Sequence, residues 1–196
     1  MSAKYIAFDC ETGGLDSNIF NLLTATFIIL DNNLVELDRL NISLKSETYT
    51  ITAKAMEINK IDLIKHHNSS KDLIDTKLEL INFLKKHKDK SSLMPIGHNI
   101  NFDIKFIKQI LGKEYNLYFS YNSVDTLVIA QYFKICRILP EYQRVSLSSL
   151  ANYFGLNKDV NFHNSEFDTE MTVELLRKFR ELGFQNEIVP SKKRKY

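Results

Sequence analysis

The sequence predicts an α/β fold, one mixed sheet with helices packed on it. Two observations carry this. Residues 4–44 hold three runs that alternate or stay apolar as strands do, and from residue 53 the apolar period becomes helical. Two further apolar stretches run straight into helical patterns, at Gly97 and at Val124-Asp125-Thr126, which is how strands enter a layered α/β domain.

Each element follows from its residues. In the first run Ile6, Phe8 and Cys10 take one side and Tyr5, Ala7, Asp9 and Glu11 the other. Thr12-Gly13-Gly14 ends it. Phe20 to Leu30 and Leu34 to Leu44 read as two more strands around the turn former Asp31-Asn32-Asn33, completing a three-strand meander. A short helix is expected around Ala53 to Ile58, then a longer one with Ile74, Leu78, Ile81 and Leu84 inward. Leu93 to Ile96 is a short strand before a helix that buries Ile104, Ile107 and Leu111. Leu127–Phe133, Leu147–Phe154 and Met171–Leu182 complete the helices, the last with Met171, Leu175, Phe179 and Leu182 as its stripe.

Composition narrows the class. The chain has 196 residues, 44% hydrophobic and 26% charged, with only three Pro and six Gly, so it reads as globular and as one domain over residues 1–190. Residues 191–196 form a basic tail with Lys192 to Lys195, and solubility is its default role. The formal charge of +2 therefore hides a slightly acidic body. Cys10 and Cys136, both in apolar surroundings, make neither a disulfide framework nor a zinc site. The longest apolar run, Ile19 to Leu30, is too short for the roughly 20 residues that span a bilayer. The start lacks signal-peptide grammar, so a soluble, intracellular, cytoplasmic protein with no membrane contact is expected.

Three patches hold the residues that can do chemistry. Asp9 and Glu11, two apart on a strand, share a face; they are either a solvent-edge sheet face or a pair that needs a positive partner. The glycines at 13 and 14 leave that strand beside both acids and let backbone approach a ligand. In Gly97-His98-Asn99-Ile100-Asn101-Phe102-Asp103, Asn99 and Asp103 stand at i and i+4, although Asn99 also suits a helix cap and His98 a satisfied strand-end histidine. In His163-Asn164-Ser165-Glu166-Phe167-Asp168 a capping box with Ser165 as cap is the structural alternative. Five residues turn a helix by about 500°, so His163 and Asp168 converge only if His163 lies in the loop before the helix. His66-His67 and Lys85-Lys86-His87-Lys88 suit solvated helix ends, the latter within possible reach of a phosphate backbone.

Taken in order, the three patches resemble the motifs of the DEDD superfamily of 3′-to-5′ exonucleases, in its His-containing, DnaQ-like branch, which includes proofreading subunits of DNA polymerases. Asp9-x-Glu11 fits the first motif, His98-Asn99-x-x-Phe102-Asp103 the second and His163-x-x-x-x-Asp168 the third. Ala55 to Ile61 is similar to the family's short substrate-side helix, Val124 to Leu127 to its usual strand end, and Leu147 to Gly155 to the helix before the third motif. Gly13 stands where many relatives have Thr, and Asn59 where proofreading members often carry His.

The resemblance implies a ribonuclease H-like fold: five strands, an antiparallel meander plus two parallel strands, flanked by helices. It implies two divalent cations, Mg²⁺ or Mn²⁺, suited to hard oxygen ligands. Asp9 would bridge them, Glu11 and Asp168 would hold the nucleophile-side ion, Asp103 would support the other through water, and His163 would serve as general base. For the substrate it implies Thr12, Gly13 and Gly14 at the 3′ end, Leu15 as a wedge, and Ile58, Asn59, Asn99 and Phe102 around the terminal nucleotide, with Phe102 as core the alternative. The expected partner is a nucleic acid with a free 3′ end, DNA ahead of RNA, and a DNA polymerase is a candidate associate. An RNA-trimming enzyme is the close alternative; a non-catalytic binding module on the same fold is the alternative from another class. The sequence leaves the oligomeric state open.

Overall fold

In the computed structural model, residues 4–88, 91–156 and 163–185 are described. The elements in chain order are β1 (Tyr5–Thr12), β2 (Leu22–Leu30), β3 (Glu36–Ser43), α1 (Ala53–Asn59), α2 (Leu63–Ser69), α3 (Leu73–His87), β4 (Met94–Gly97) and α4 (Ile100–Leu111). A 3₁₀ turn at Gly112–Glu114 leads into α5 (Tyr115–Tyr118), then β5 (Val124–Asp125), α6 (Thr126–Ile135), α7 (Leu147–Tyr153) and α8 (Ser165–Gln185). Five strands form one sheet in the order β3-β2-β1-β4-β5. β1 pairs antiparallel with β2 and parallel with β4, which pairs parallel with β5. The expected meander and mixed sheet are both present.

Both faces of β1 are covered. On one side Ile6, Phe8 and Cys10 join Phe27, Leu80, Leu84, Phe106 and Ile107 in the largest core, which seats α3 and α4. Phe8 meets the rings of Phe27 and Phe119 at 5.5 and 5.9 Å. Burying one such ring is worth about 1.5–3 kcal/mol. On the other side Ala7, Ile28, Leu30 and Ile96 pack on Val173 of α8. A third cluster joins α6, α7 and α8 through Phe133, Leu150, Leu175 and Phe179. With α8 lying along β1 and β2, its first turn comes to rest over the C-terminal end of β1.

Several expectations need correction. Ile74 and Leu78 are 78% and 56% exposed, and α3 instead buries Thr76, Leu80, Ile81 and Leu84. The inward face is rotated because the sheet, not the sequence period, decides which side of the helix is covered. α8 begins at Ser165 and not near Met171; Leu175 and Phe179 are buried while Met171 and Leu182 are only partly so. α2 was not expected as an element, and His66 within it is buried, not solvated: its Nε2 lies 3.0 Å from the Leu44 carbonyl. At the end of α3, Lys86 and His87 both reach Asp38 at 2.7 Å and so tie the helix to β3. Cys10 is buried and Cys136, expected in apolar surroundings, is exposed; both are free thiols. The expected tail, residues 191–196, lies outside the described residues. Among the described residues no helix is long and apolar enough to cross a membrane.

Candidate active site

The acids of β1 sit where two carboxylates are hardest to keep. Alternation sends Asp9 and Glu11 to the α8 face, and α8 covers that face, so Glu11 is only 9% exposed and Asp9 half-buried. A solvent-edge sheet face is thereby excluded. Asp168, in the first turn of α8, joins them at 9% exposure, and one carboxylate oxygen from each of Asp9, Glu11 and Asp168 lies within 4.8 Å of the others. The turn is fixed by its own contacts. Asn164, not Ser165, accepts the leading N–H groups of Glu166 and Phe167, at 3.0 and 3.3 Å. Ser165 instead turns inward, its Oγ 3.1 Å from Thr26 Oγ1 on β2. A capping box with Ser165 as cap, the structural alternative, is therefore absent.

Asp168 has two unlike oxygens. Oδ2 accepts the backbone N–H of His163 at 3.1 Å, while Oδ1 is buried with no hydrogen-bond partner. A buried, unpartnered carboxylate oxygen in a residue clustered with two more carboxylates costs several kcal/mol unless a cation completes it. Burial and crowding move the carboxylate pKa values accordingly. Burial, then the Asp168 charge, pushes Glu11 up to about 8. Burial raises Asp168 to about 6 against the opposing His163 N–H bond. Asp9 is raised well above the carboxylate range by burial first, then by Asp103, Asp168 and Glu11. Oxygen donors, mutual repulsion and an orphaned acceptor together fit a divalent cation held by Asp9, Glu11 and Asp168.

Asp103 and His163 border this cluster in different ways. Asp103, on the first turn of α4 and 3% exposed, accepts the Cys10 N–H at 3.0 Å, so one of its oxygens is committed to β1. It stays outside the three-carboxylate group, yet is near enough for its charge to raise Asp9. Burial pushes Asp103 itself up to about 8, with the N–H bonds to its carboxylate acting in the other direction. His163 lies in the loop before α8, with a positive φ of 71° and an exposed side chain, which is the arrangement its spacing from Asp168 requires.

Beside the carboxylates opens a cavity of about 540 Å³, lined chiefly by apolar atoms. Thr12, Gly14, Leu15, Ile58, Asn59 and Phe102 all line it, and so do Phe20, Thr52 and Lys54, which sequence reasoning missed. Phe20 and Thr52 lie against the Gly13–Gly14 loop in space, a relation no local pattern signals. Leu15 stands 85% exposed at the rim. Phe102 is partly core: its ring packs on Phe106 at 5.1 Å and also lines the cavity. Asn59 is a tether, its amide donating to the Thr12 carbonyl at 3.3 Å while its oxygen accepts the Ile61 N–H. Asn99 does not cap α4 with its side chain; it is exposed in the left-handed region, and its N–H donates to Asp125. His98 is structural, with Nδ1 2.9 Å from Thr126 Oγ1.

The loop glycines are packing requirements. A Cβ on Gly13 would fall 2.6 Å from the Thr50 carbonyl, and Gly13 is pinned by bonds to Asn21 and Thr52 at 2.8 and 2.7 Å. Gly13→Ala is expected to cost about 1–3 kcal/mol through overpacking, lowering the melting temperature by several degrees. Calorimetry checks this, and an unchanged midpoint would show that the loop has slack.

A family model described as Exonuclease matches residues 6–176. The chain belongs to the exonuclease family. All the residues described above, from Asp9 to Asp168, lie inside the matched span. A comparison of the sequence with curated proteins found no match. Among solved structures, this exonuclease-family chain resembles the zinc-bound complex of E. coli exonuclease I with single-stranded DNA, with a TM-score of 0.76 at 15% identity. That match covers 94% of this chain and 43% of the other. Exonuclease I from Methylocaldum szegediense matches with a TM-score of 0.74 at 16% identity, over 94% of this chain and 42% of that one. The chain thus spans less than half the length of the exonuclease I chains whose fold it shares.

Proposed function

We propose that the protein is a divalent-metal-dependent 3′-to-5′ exonuclease that removes nucleoside 5′-monophosphates from single-stranded or frayed DNA ends. One observation carries this reading: Asp9, Glu11 and Asp168 cluster with an orphaned, buried Asp168 oxygen, and Glu11 of that cluster lines a largely apolar cavity of nucleotide size. Exonuclease-family membership supports it, and so do the single-stranded DNA complexes of exonuclease I.

In this reading Asp9, Glu11 and Asp168 would hold one cation, and Asp9 with Asp103 a second, each Mg²⁺ or Mn²⁺. When bound, such ions supply charge relief for the phosphoryl oxygens and lower the pKa of a coordinated water. The residues of the chain do the rest. Thr12 and Gly14, which line the cavity while Gly13 is tied to Asn21 and Thr52, present backbone to the 3′ end, Leu15 wedges at the rim, and Phe102 packs on the terminal base, a contact worth about 1–3 kcal/mol and indifferent to sequence. His163 takes the proton of the attacking water as its oxygen bonds to phosphorus and the scissile P–O3′ bond breaks, and the departing O3′ takes a proton from solvent to become the new 3′-hydroxyl of the shortened strand. Nothing in this chemistry requires a polymerase partner.

The test is digestion of 5′-labelled DNA and RNA oligomers of one sequence, side by side, with Mg²⁺ and then Mn²⁺. A 3′-shortening ladder on DNA, lost with chelator, is expected. A ladder on RNA in preference to DNA would overturn the substrate, and binding without cleavage of either would overturn the enzyme.

A further inference from the structure

Past Leu15 the cavity gives way to a second groove of about 680 Å³, of different chemistry. Leu15, Asp16, Ser17 and Asn18 form one wall, and Lys105, Lys108 and Gln109 of α4 the other. Leu15 belongs to both cavities. Phe102, Lys105 and Gln109 stand at i, i+3 and i+7, so one face of α4 runs from the first cavity into the second.

The groove is held in shape by its own contacts. Gln109 donates to Asn18 Oδ1 at 3.2 Å, which locks the loop to the helix. The Asp16 carboxylate accepts the backbone and side-chain N–H groups of Asn18 at 2.9 and 3.0 Å, and the Asp16 carbonyl accepts from Ile19 and Phe20. Lys108 lies 5.0 Å from the centre of the Tyr115 ring. Both lysines are exposed, and neither forms an ion pair among the described residues. Asp16 is the acidic lining residue, so positive charge is in excess.

We propose that this groove takes the phosphodiester backbone of the nucleotides immediately 5′ of the terminal one, on the same strand. The inference rests on the exonuclease reading for its occupant. A terminal nucleoside suits the apolar cavity, whereas two ammonium groups beside a hydroxyl and an amide suit phosphate oxygens. A strand leaving the first cavity across Leu15 meets the groove next. Lys105 and Lys108 thus set how many nucleotides beyond the scissile bond the enzyme grips, and they make it prefer chains over dinucleotides.

The experiment compares wild type with the Lys105→Glu, Lys108→Glu double variant on oligothymidylates of increasing length. For wild type, kcat/KM is expected to rise from the dimer to the tetramer and then level. The variant should match wild type within twofold on the dimer and fall about tenfold on longer chains. In chelator, anisotropy of 5′-labelled oligomers should show a salt slope smaller by about 1.4 in the variant, as expected for two lost phosphate contacts on a single strand. A methylphosphonate at the second linkage of the wild-type substrate should reproduce the loss. Equal losses at every length, no loss at all, or a loss confined to duplex ends would overturn the groove assignment while leaving the exonuclease reading intact. Absent cleavage with the salt-slope difference preserved would overturn the activity and keep the groove.

Discussion

Asp168→Ala is expected to abolish cleavage while leaving the metal-free melting temperature at pH 8 unchanged or raised. Two energies decide the sign. The substitution removes the hydrogen bond from the His163 N–H to Oδ2, worth about 1 kcal/mol net. It also removes a buried, unpartnered Oδ1 and the charge that burdens Glu11 and Asp9. At pH 8 in the absence of cations that relief offsets the lost bond or exceeds it. With cations present the balance reverses, because the variant has lost a ligand. Replacing groups that merely orient a ligand typically costs 10–100-fold, so losing the ligand itself should cost at least roughly a hundredfold in rate. Paired thermal melts, in chelator and with Mn²⁺, check this. A clear fall in the metal-free midpoint would make Asp168 a structural residue of the first turn of α8, and retained cleavage would remove it from the site.

The fold and the carboxylates were legible in the sequence because each is a local pattern. Alternation over Tyr5 to Glu11 assigned the acids and the core residues to opposite faces, and the sheet kept that assignment. The spacing of His163 and Asp168 required a loop before the helix, which is where His163 lies. Less was legible where tertiary contacts override a period or a propensity. Ile74 and Leu78 continue the apolar stripe of α3 but face solvent, because the sheet contacts only the side carrying Leu80 and Leu84. Ser165 is a good cap by composition, yet Asn164 does the capping while Ser165 reaches Thr26. The Asn59 amide is tied to the Thr12 carbonyl 47 residues away and the Asn99 N–H to the Asp125 carboxylate 26 residues away, relations no local pattern encodes. Lys54, Lys105 and Lys108 had no signal beyond being lysines.

In chelator, stability is expected to fall as pH rises from 6.5 to 8.5, and divalent cations should cancel the fall. Glu11 and Asp103, near 4 in an unfolded chain, rise to about 8 in the folded protein, mainly through burial. The folded state therefore binds more protons than the unfolded one between about pH 4 and 8, so the slope of stability with pH is negative across that window. The stability these groups lend by staying protonated is complete below about pH 4 and is lost as pH passes through their folded values. Two other groups act in different windows. Asp38 is held at about 2 by Lys86 and, more weakly, by His87, so its contribution fades only as pH falls below about 4. His98 is lowered by burial, so it favours the folded state as pH rises toward 6.5 and adds nothing beyond. Over most of the interval from 6.5 to 8.5 the carboxylates of the site therefore dominate, and Cys10, whose thiol burial pushes up, adds to the fall only toward its upper end. For a domain of this size each kcal/mol moves the midpoint by about 2–4 °C. A cation at about one hundred times its Kd restores about 2.7 kcal/mol, and its effect should be larger at pH 8.5 than at 6.5, because binding requires the charged carboxylates. Glu11→Gln should flatten the pH dependence and weaken the response to Mg²⁺. A midpoint that is constant over this interval in chelator, and indifferent to Mg²⁺ and Mn²⁺, would mean that the clustered carboxylates neither repel one another nor hold a cation.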